Sequence, residues 1–130
     1  MRLLLDTHTL LWYVLDDPQL SKTATTIILD PTNEVFISTV SLWEIAIKVS
    51  IKKLSLQRPY DEFLDKCLTE YQFELQPIEP RHLIHVSALA FLNNHRDPFD
   101  RLLVAQTLEE GFSIVSNDTA LDGYGVNRIW

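Results

Sequence analysis

The sequence predicts an α/β fold in which a mostly parallel sheet of four or five strands is covered by helices on both faces. Strand-like and helical segments alternate along the whole chain, and this alternation is typical of a parallel sheet. The strand-like segments are short and almost wholly apolar, as expected for strands that are buried on both faces. The predicted architecture therefore has three layers, with the sheet between two layers of helices.

Runs of apolar and β-branched residues predict the strands, and apolar residues at helical spacing predict the helices. The predicted strands, in chain order, are RLLL (2–5), EVFIS (34–38), FELQPI (73–78), FSIV (112–115) and VNRIW (126–130). The predicted helices span residues 8–16, 21–30, 40–53, 60–70, 80–92 and 98–110. No internal repeat or linker interrupts this order, so residues 1–130 are expected to form a single domain.

Length and composition are those of a folded protein. The chain has 130 residues, of which 46% are hydrophobic and 22% are charged, a balance that supports a core without disulfides or structural metals. Asp6 interrupts the apolar start too early for a secretory signal, and no other stretch approaches the length of a membrane span. Cys67 is the only cysteine and is expected to be a buried thiol in a cytoplasmic protein.

The net charge of −7 argues against a general binder of nucleic acids or membrane surfaces, because neutralising phosphates supplies most of the affinity in such contacts. The sign of the charge is nevertheless uneven along the chain. A cluster of cations lies in its middle, at Lys48, Lys52, Lys53 and Arg58. An acidic pocket with positive edges is therefore compatible with the sequence.

Acidic residues follow three of the predicted strands. Asp6 closes the first strand, Glu44 sits in the first turns of the helix after the second, and Asp118 follows the fourth. In an open parallel sheet, ligands bind beyond the carboxyl ends of the strands. Because these ends lie at one edge of the sheet, folding is expected to gather acids that are far apart in sequence.

Two further acids, Asp97 and Asp100, stand at the start of a predicted helix in the segment HRDPFDRLLVAQ. Asp97 can cap this helix ahead of Pro98, and Asp100 falls on the same face one turn later. The N-terminus of a helix that leads into a strand is expected at the opposite edge of the sheet, unless the helix crosses it. Position along the chain therefore leaves the place of these two acids open.

Each acid also has a purely structural explanation. Asp6 and Asp118 can cap the helix or turn that follows them by accepting a hydrogen bond from a free backbone N–H group. Ser41 and Glu44 fit a capping box, and Glu44 with Lys48 fits an ion pair across one helical turn. Capping does not, however, predict that the acids converge on one edge of the sheet.

Converging carboxylates have a specific chemical consequence. Like charges in a small pocket oppose ionisation, so either pKa values rise or a cation binds. Carboxylate oxygens without cysteine, and without a histidine at metal-ligand spacing, favour Mg²⁺ or Mn²⁺ over zinc. Such a cation works with substrate phosphates and makes a water molecule acidic. The sequence therefore predicts hydrolysis of phosphodiesters with Mg²⁺, for which Mn²⁺ can substitute.

The chain resembles the PIN-domain ribonucleases, and among them the VapC-type toxins of bacterial toxin–antitoxin pairs. The resemblance spans nearly the whole chain and is carried by LLLDTHTLLW (3–12), SLWEIAIK (41–48), HRDPFDRLLVAQ (95–106) and SIVSND (113–118). It implies a PIN-like three-layer fold, an Mg²⁺-dependent endoribonuclease that acts on RNA, and a cognate antitoxin that blocks the acidic pocket. Apolar residues expected to be exposed in the helices after the first and second strands, together with three tryptophans, also suggest a homodimer or a groove for a partner.

The resemblance also implies roles for the acids. Asp6 and Asp100 would hold Mg²⁺ directly, and Glu44 and Asp118 would position metal waters or a second ion. Asp97 is the extra acid of the HxDPFDR subgroup, and it would assist Asp100 or cap the helix. Ser116 and Thr7 would form hydrogen bonds nearby, although strand-end and turn chemistry also accounts for them.

Other residues beside these acids have two open interpretations. Arg101 and Lys48 either contact RNA phosphates or are exposed helix charges that pair with acids. His8 and His95 either tune the neighbouring acids or serve in packing. His82 and His85 are expected to be ordinary helix residues.

Two alternatives to a nuclease remain. Another Mg²⁺-dependent phosphoryl-transfer domain would also place aspartates at strand ends, but His8 stands where a haloacid phosphatase has its second aspartate, and the paired early acids and late lysine of a receiver domain are missing. The second alternative is a non-catalytic PIN-fold module that binds RNA or protein without cutting it. The presence of all the family acids disfavours this alternative.

Overall fold

The computed structural model describes residues 1–130 and contains one five-stranded sheet in which every neighbouring pair of strands is parallel. The strands are β1 (Arg2–Leu5), β2 (Glu34–Ser38), β3 (Glu74–Gln76), β4 (Ser113–Val115) and β5 (Asn127–Ile129). Their order across the sheet is β3-β2-β1-β4-β5, so the first strand lies at the centre. The predicted fold class is confirmed.

Six α-helices surround the sheet. They are α1 (Thr7–Val14), α2 (Lys22–Leu29), α3 (Thr39–Ser50), α4 (Tyr60–Asp65), α5 (Pro80–Ala88) and α6 (Pro98–Glu110). Helix α4 continues into a π-helical segment, Lys66–Glu70, and a 3₁₀ helix, Thr119–Tyr124, connects β4 to β5. None of the helices combines the length and the apolar character that crossing a membrane requires.

The two faces of the sheet pack against separate cores, because alternate residues of a strand point to opposite faces. Leu3 and Leu5 of β1 belong to a core that contains Phe63 of α4. Leu4 belongs to the other core, together with Val104 of α6. All of these side chains are fully buried. Helices therefore cover both faces of the sheet, and β1 contributes side chains to both cores.

Cys67 lies in the π-helical segment and is buried in the larger core without a disulfide partner. Burial raises the pKa of its thiol to about 12, because the charged thiolate is disfavoured in apolar surroundings. The prediction of a buried thiol is confirmed.

The predicted helix 80–92 ends at Ala88, and Leu89 is already extended. The reason is Arg101, whose guanidinium donates hydrogen bonds to the carbonyl oxygens of Leu89 and Ala90 at 2.7 and 2.8 Å. Arg101 is itself only 6% exposed. The expectation of an exposed Arg101 that meets RNA phosphates or pairs with acids is therefore wrong, because this side chain anchors the chain after α5.

We expect Leu4→Ala to lower the free energy of unfolding by about 2–5 kcal/mol, because it opens a cavity at the centre of the sheet. Urea denaturation at neutral pH measures this loss. Ile84→Ala is the control, since Ile84 is 69% exposed and should change stability by less than about 0.5 kcal/mol. Equal losses in the two variants would contradict the assignment of β1 as the central strand.

Candidate functional site

The carboxyl ends of three strands meet at one edge of the sheet. Leu5 of β1 is in register with Ile37 of β2 and with Val115 of β4. The next residue, Asp6, donates its backbone N–H to the carbonyl oxygen of Val115 at 3.2 Å. The residues that follow these strands are therefore neighbours in space, as the parallel arrangement requires.

Asp6 is 7% exposed and caps α1. Its Oδ1 accepts the backbone N–H of Thr9 at 2.8 Å, so the predicted cap is confirmed. Its Oδ2 has no protein partner, and no buried side-chain oxygen or nitrogen lacks a hydrogen bond. Oδ2 therefore reaches solvent, and capping leaves one carboxylate oxygen of Asp6 available to a ligand.

Glu44 lies in the second turn of α3 and is 8% exposed. Its Oε2 is 3.1 Å from the Lys48 Nζ, which confirms the predicted ion pair. The predicted capping box is wrong, because Ser38 caps α3 and Ser41 instead accepts a hydrogen bond from the Thr7 hydroxyl at 3.0 Å. A capping role at the start of α3 therefore does not account for Glu44.

Helix α6 begins at the same edge of the sheet. Asp97 is the exposed N-cap and accepts the backbone N–H groups of Phe99 and Asp100 at 2.9 and 3.2 Å. At the other end of α6, the carbonyl oxygen of Glu110 accepts a hydrogen bond from Arg2 at the start of β1. The helix therefore runs antiparallel to the strands. The expectation that its N-terminus lies at the opposite edge is wrong.

Asp100 and Asp118 come together with His95, and one ligand atom from each lies within 4.8 Å of the others. Asp118 also caps the 3₁₀ helix through the backbone N–H of Ala120 at 3.0 Å, as predicted. Asp6 and Glu44 lie outside this tight group. They nevertheless lie at the same edge of the sheet. The backbone of Asp6 is hydrogen-bonded to the end of β4. Trp43, the neighbour of Glu44 in α3, packs edge-on against Phe99 of α6, with ring centroids 5.2 Å apart.

The pKa of Asp100 departs clearly from its ordinary value. Burial, followed by the negative charges of Asp97 and Asp118, raises the pKa of Asp100 to about 6, although the hydrogen bond from His95 opposes this rise. The physical cause is desolvation together with like charges at close range. The charge of a cation bound here would offset both effects, so the arrangement is suited to holding one.

His95 is the residue of this group that the sequence did not place in the site. It was expected either to tune the acids or to pack, and no histidine was expected at metal-ligand spacing. Its Nε2 lies 3.3 Å from Asp100 Oδ2. The signal in the sequence is its place in the segment HRDPFDR. The position of its ring depends on the conformation of the loop before α6, which the sequence pattern does not specify.

The sequence model of the PIN domain family matches residues 3–127 of this chain. No curated protein matches the sequence. Among solved structures, VapBC2 from Rickettsia felis bound to a DNA fragment of its promoter gives a TM-score of 0.76 at 18% identity, with 99% of this chain and 98% of that chain covered.

Two other solved structures are similar to this chain. DNA-bound VapBC from Salmonella typhimurium gives a TM-score of 0.69 at 17% identity, covering 99% of this chain and 97% of that one. FitAcB from Neisseria gonorrhoeae gives a TM-score of 0.67 at 14% identity, with 98% of this chain and 96% of that chain covered. At these identities the likeness establishes the fold alone.

The Asp100 pKa predicts how stability depends on pH. Folding raises this pKa from 3.8 to about 6, so between these values the folded state keeps a proton that the unfolded state has lost. The contribution of Asp100 to stability therefore falls as pH rises through this window and is constant above it. Asp100→Asn removes the titration. We expect the variant to gain stability relative to the unsubstituted protein as pH rises from about 4 to 7.

Urea denaturation across this pH range measures the difference. Asp16→Asn is the matched control, because Asp16 is exposed and has a φ of 53°, which asparagine tolerates. A stability difference between Asp100→Asn and the unsubstituted protein that does not change with pH would contradict the raised pKa.

Proposed function

The chain belongs to the PIN domain family, and from this membership we propose that it is an Mg²⁺-dependent endoribonuclease that acts as the toxin of a toxin–antitoxin pair. The observation that supports the proposal is the pairing of Asp100 with Asp118 at the sheet edge that also carries Asp6 and Glu44. Capping engages one oxygen each of Asp6 and Asp118, so structural roles do not exhaust these carboxylates.

The donor set fits a hard divalent cation. Asp100, Asp118 and Asp6 offer carboxylate oxygens, which suit Mg²⁺ and Mn²⁺. Burial, followed by the charges of Asp97 and Asp118, raises the pKa of Asp100 to about 6, and a bound cation would stabilise its ionised form. We propose that Asp6, Asp100 and Asp118 hold the cation and that Glu44 positions water beside it.

When bound, the divalent cation makes a water acidic at neutral pH and stabilises charge on the phosphate. The residues of the chain provide the geometry for this chemistry. Glu44 accepts a hydrogen bond from the attacking water, and Lys48, with its Nζ 3.1 Å from Glu44, presents a positive charge to the phosphate. Asp97 keeps α6 capped, and its own charge adds to the field at Asp100.

The RNA backbone requires cations on a chain whose net charge is −7. Lys52, Lys53 and Arg58 line an open depression of about 460 Å³ after α3 and form no ion pair. We propose that they contact phosphates of the substrate, because phosphate neutralisation provides most of the affinity in such complexes. Arg101, which is buried, takes no part in this contact.

The partners proposed are a cognate antitoxin and a second copy of the chain. The structures of VapBC2 and VapBC are of two-component complexes, which supports an antitoxin that covers the acidic edge. Leu83, Ile84 and Phe91 are each more than half exposed, and we propose that they belong to the interface with the second copy. We place the protein in the cytoplasm as a single domain of residues 1–130.

Purified protein is expected to cleave structured RNA in Mg²⁺, and Asp100→Asn or Asp118→Asn should reduce the rate at least about a hundredfold, because each removes charge at the cation site. Gel analysis of cleavage products measures the rate. Asp16→Asn should cleave as the unsubstituted protein does. RNA that is bound but never cut with any divalent cation would favour the non-catalytic module instead.

Removing the cation should have two effects. EDTA should abolish cleavage, and adding Mn²⁺ to the stripped protein should raise its melting temperature, because a ligand that binds only the folded state stabilises it. Differential scanning calorimetry measures the second effect without RNA. Full cleavage in EDTA, or a melting temperature unchanged by millimolar Mn²⁺, would contradict the cation mechanism.

A further inference from the structure

We propose that Tyr124 and His95 form a hydrogen-bonded pair that orients the Asp100 carboxylate, with His95 serving as a donor to Asp100 and not as a ligand of the cation. This inference deepens the proposed function, because it assigns a positioning role at the same site. It concerns two residues on different segments of the chain: His95 heads the segment HRDPFDRLLVAQ, and Tyr124 lies outside the acid motifs.

Two hydrogen bonds define the pair. The Tyr124 hydroxyl lies 2.7 Å from His95 Nδ1, and His95 Nε2 lies 3.3 Å from Asp100 Oδ2. The His95 side chain is 14% exposed, whereas that of Asp100 is 31% exposed. The imidazole thus stands between the tyrosine and the carboxylate, with each ring nitrogen committed to one partner.

The direction of the first bond follows from Arg101. The Nη1 of Arg101 lies 3.5 Å from the Tyr124 hydroxyl oxygen, and guanidinium can only donate. The tyrosine oxygen therefore faces a donor, and its own proton is directed to His95 Nδ1. A neutral imidazole that accepts at Nδ1 carries its proton on Nε2.

This tautomer decides what His95 can do at the site. Nε2–H points at Asp100 and donates to its carboxylate, so the nitrogen nearest the acids has no free lone pair. A ring nitrogen must be unprotonated to bind a metal ion. His95 therefore holds the carboxylate in place, and the ligands of the cation are oxygens alone.

The loop between α5 and α6 is built to present His95. Asn93 and Asn94 have φ angles of 49° and 60°, in the left-handed region that asparagine enters more readily than most residues. Two consecutive residues of this kind reverse the chain just before His95. The backbone N–H of His95 then closes the turn on the carbonyl oxygen of Leu92 at 2.8 Å.

The segment that carries Tyr124 approaches this loop through a glycine. A Cβ atom at Gly123 would lie 3.2 Å from Leu92 Cδ1, which is closer than ordinary van der Waals contact, so the absence of a side chain permits the approach. Asp118 is the N-cap of the same 3₁₀ helix, and its Oδ1 accepts the backbone N–H of Ala120. One short helix therefore positions both the Asp118 carboxylate and Tyr124, the residue that acts on Asp100 through His95.

The tautomer of His95 can be tested in the protein without cation or RNA. Long-range ¹H–¹⁵N NMR, at a pH where the imidazole is neutral, distinguishes Nε2–H from Nδ1–H by the ¹⁵N shifts of the ring. We expect Nε2–H in the unsubstituted protein and a mixture of tautomers in Tyr124→Phe. An Nδ1–H tautomer, or an equal mixture, in the unsubstituted protein would overturn the inference.

The affinity for Mn²⁺ tests the consequence. Partners that orient metal ligands are worth about 10–100-fold in affinity, so Tyr124→Phe and His95→Phe should each weaken Mn²⁺ binding by at least about tenfold. His95→Gln keeps an N–H donor near the position of Nε2 and should retain most of the affinity. His95→Gln as weak as His95→Phe would contradict the donor role.

Tyr60→Phe is the control for the loss of a tyrosine hydrogen bond, because the Tyr60 hydroxyl donates to the carbonyl oxygen of Leu42. It should lower stability much as Tyr124→Phe does and leave Mn²⁺ affinity unchanged. An equal loss of affinity in both variants would show a general structural effect and overturn the inference.

The outcomes separate this inference from the proposed function. If Tyr124→Phe changes the tautomer and the Mn²⁺ affinity but no RNA is cut, the positioning role holds and the nuclease proposal fails. If RNA is cut and His95 shows the wrong tautomer, the nuclease proposal holds and the positioning role fails.

Discussion

The parallel pairing of β1 with both β2 and β4 is the constraint on which the site depends. It brings the carboxyl ends of three strands to one edge, and because helices in such an arrangement run antiparallel to the strands, the N-termini of α3 and α6 arrive at the same edge. Acids that are distant along the chain are thereby concentrated on one side of the molecule. Burial of Asp100 at this edge, together with the neighbouring charges of Asp97 and Asp118, raises its pKa.

Capping and cation binding are compatible roles for these carboxylates. A carboxylate has two oxygens, and a helix or turn N-terminus engages one of them, as it does in Asp6 and Asp118. The cap fixes the side-chain torsions and so aims the second oxygen. In this chain the N-termini of a helix and a turn hold the carboxylates in position at the sheet edge. The structural and the chemical explanation of the same residue therefore support each other.

Local pattern was sufficient for the regular elements and insufficient for the segments between them. The strands 2–5 and 34–38 and the helix 98–110 have the predicted bounds, because apolar runs and a proline at the first helical position specify them locally. The environment of Arg101 and the early end of α5 depend on each other across the loop, and neither is visible in the sequence of its own segment. The sequence left the role of His95 open between tuning the acids and packing for the same reason, since contacts with a distant turn determine its place. The edge at which α6 begins was left open by the sequence, because the antiparallel run of this helix against the strands becomes visible only once the strands are paired.

The single sulfhydryl of this chain, Cys67, is buried in the larger core, and its burial keeps it protonated at neutral pH. Alkylating reagents attack the thiolate, so the folded state is inert to them and only molecules whose larger core has opened can react. The rate at which Cys67 is alkylated therefore reports how often that core opens. The chain carries its own probe of local unfolding on the side of the sheet away from α6, without an engineered label.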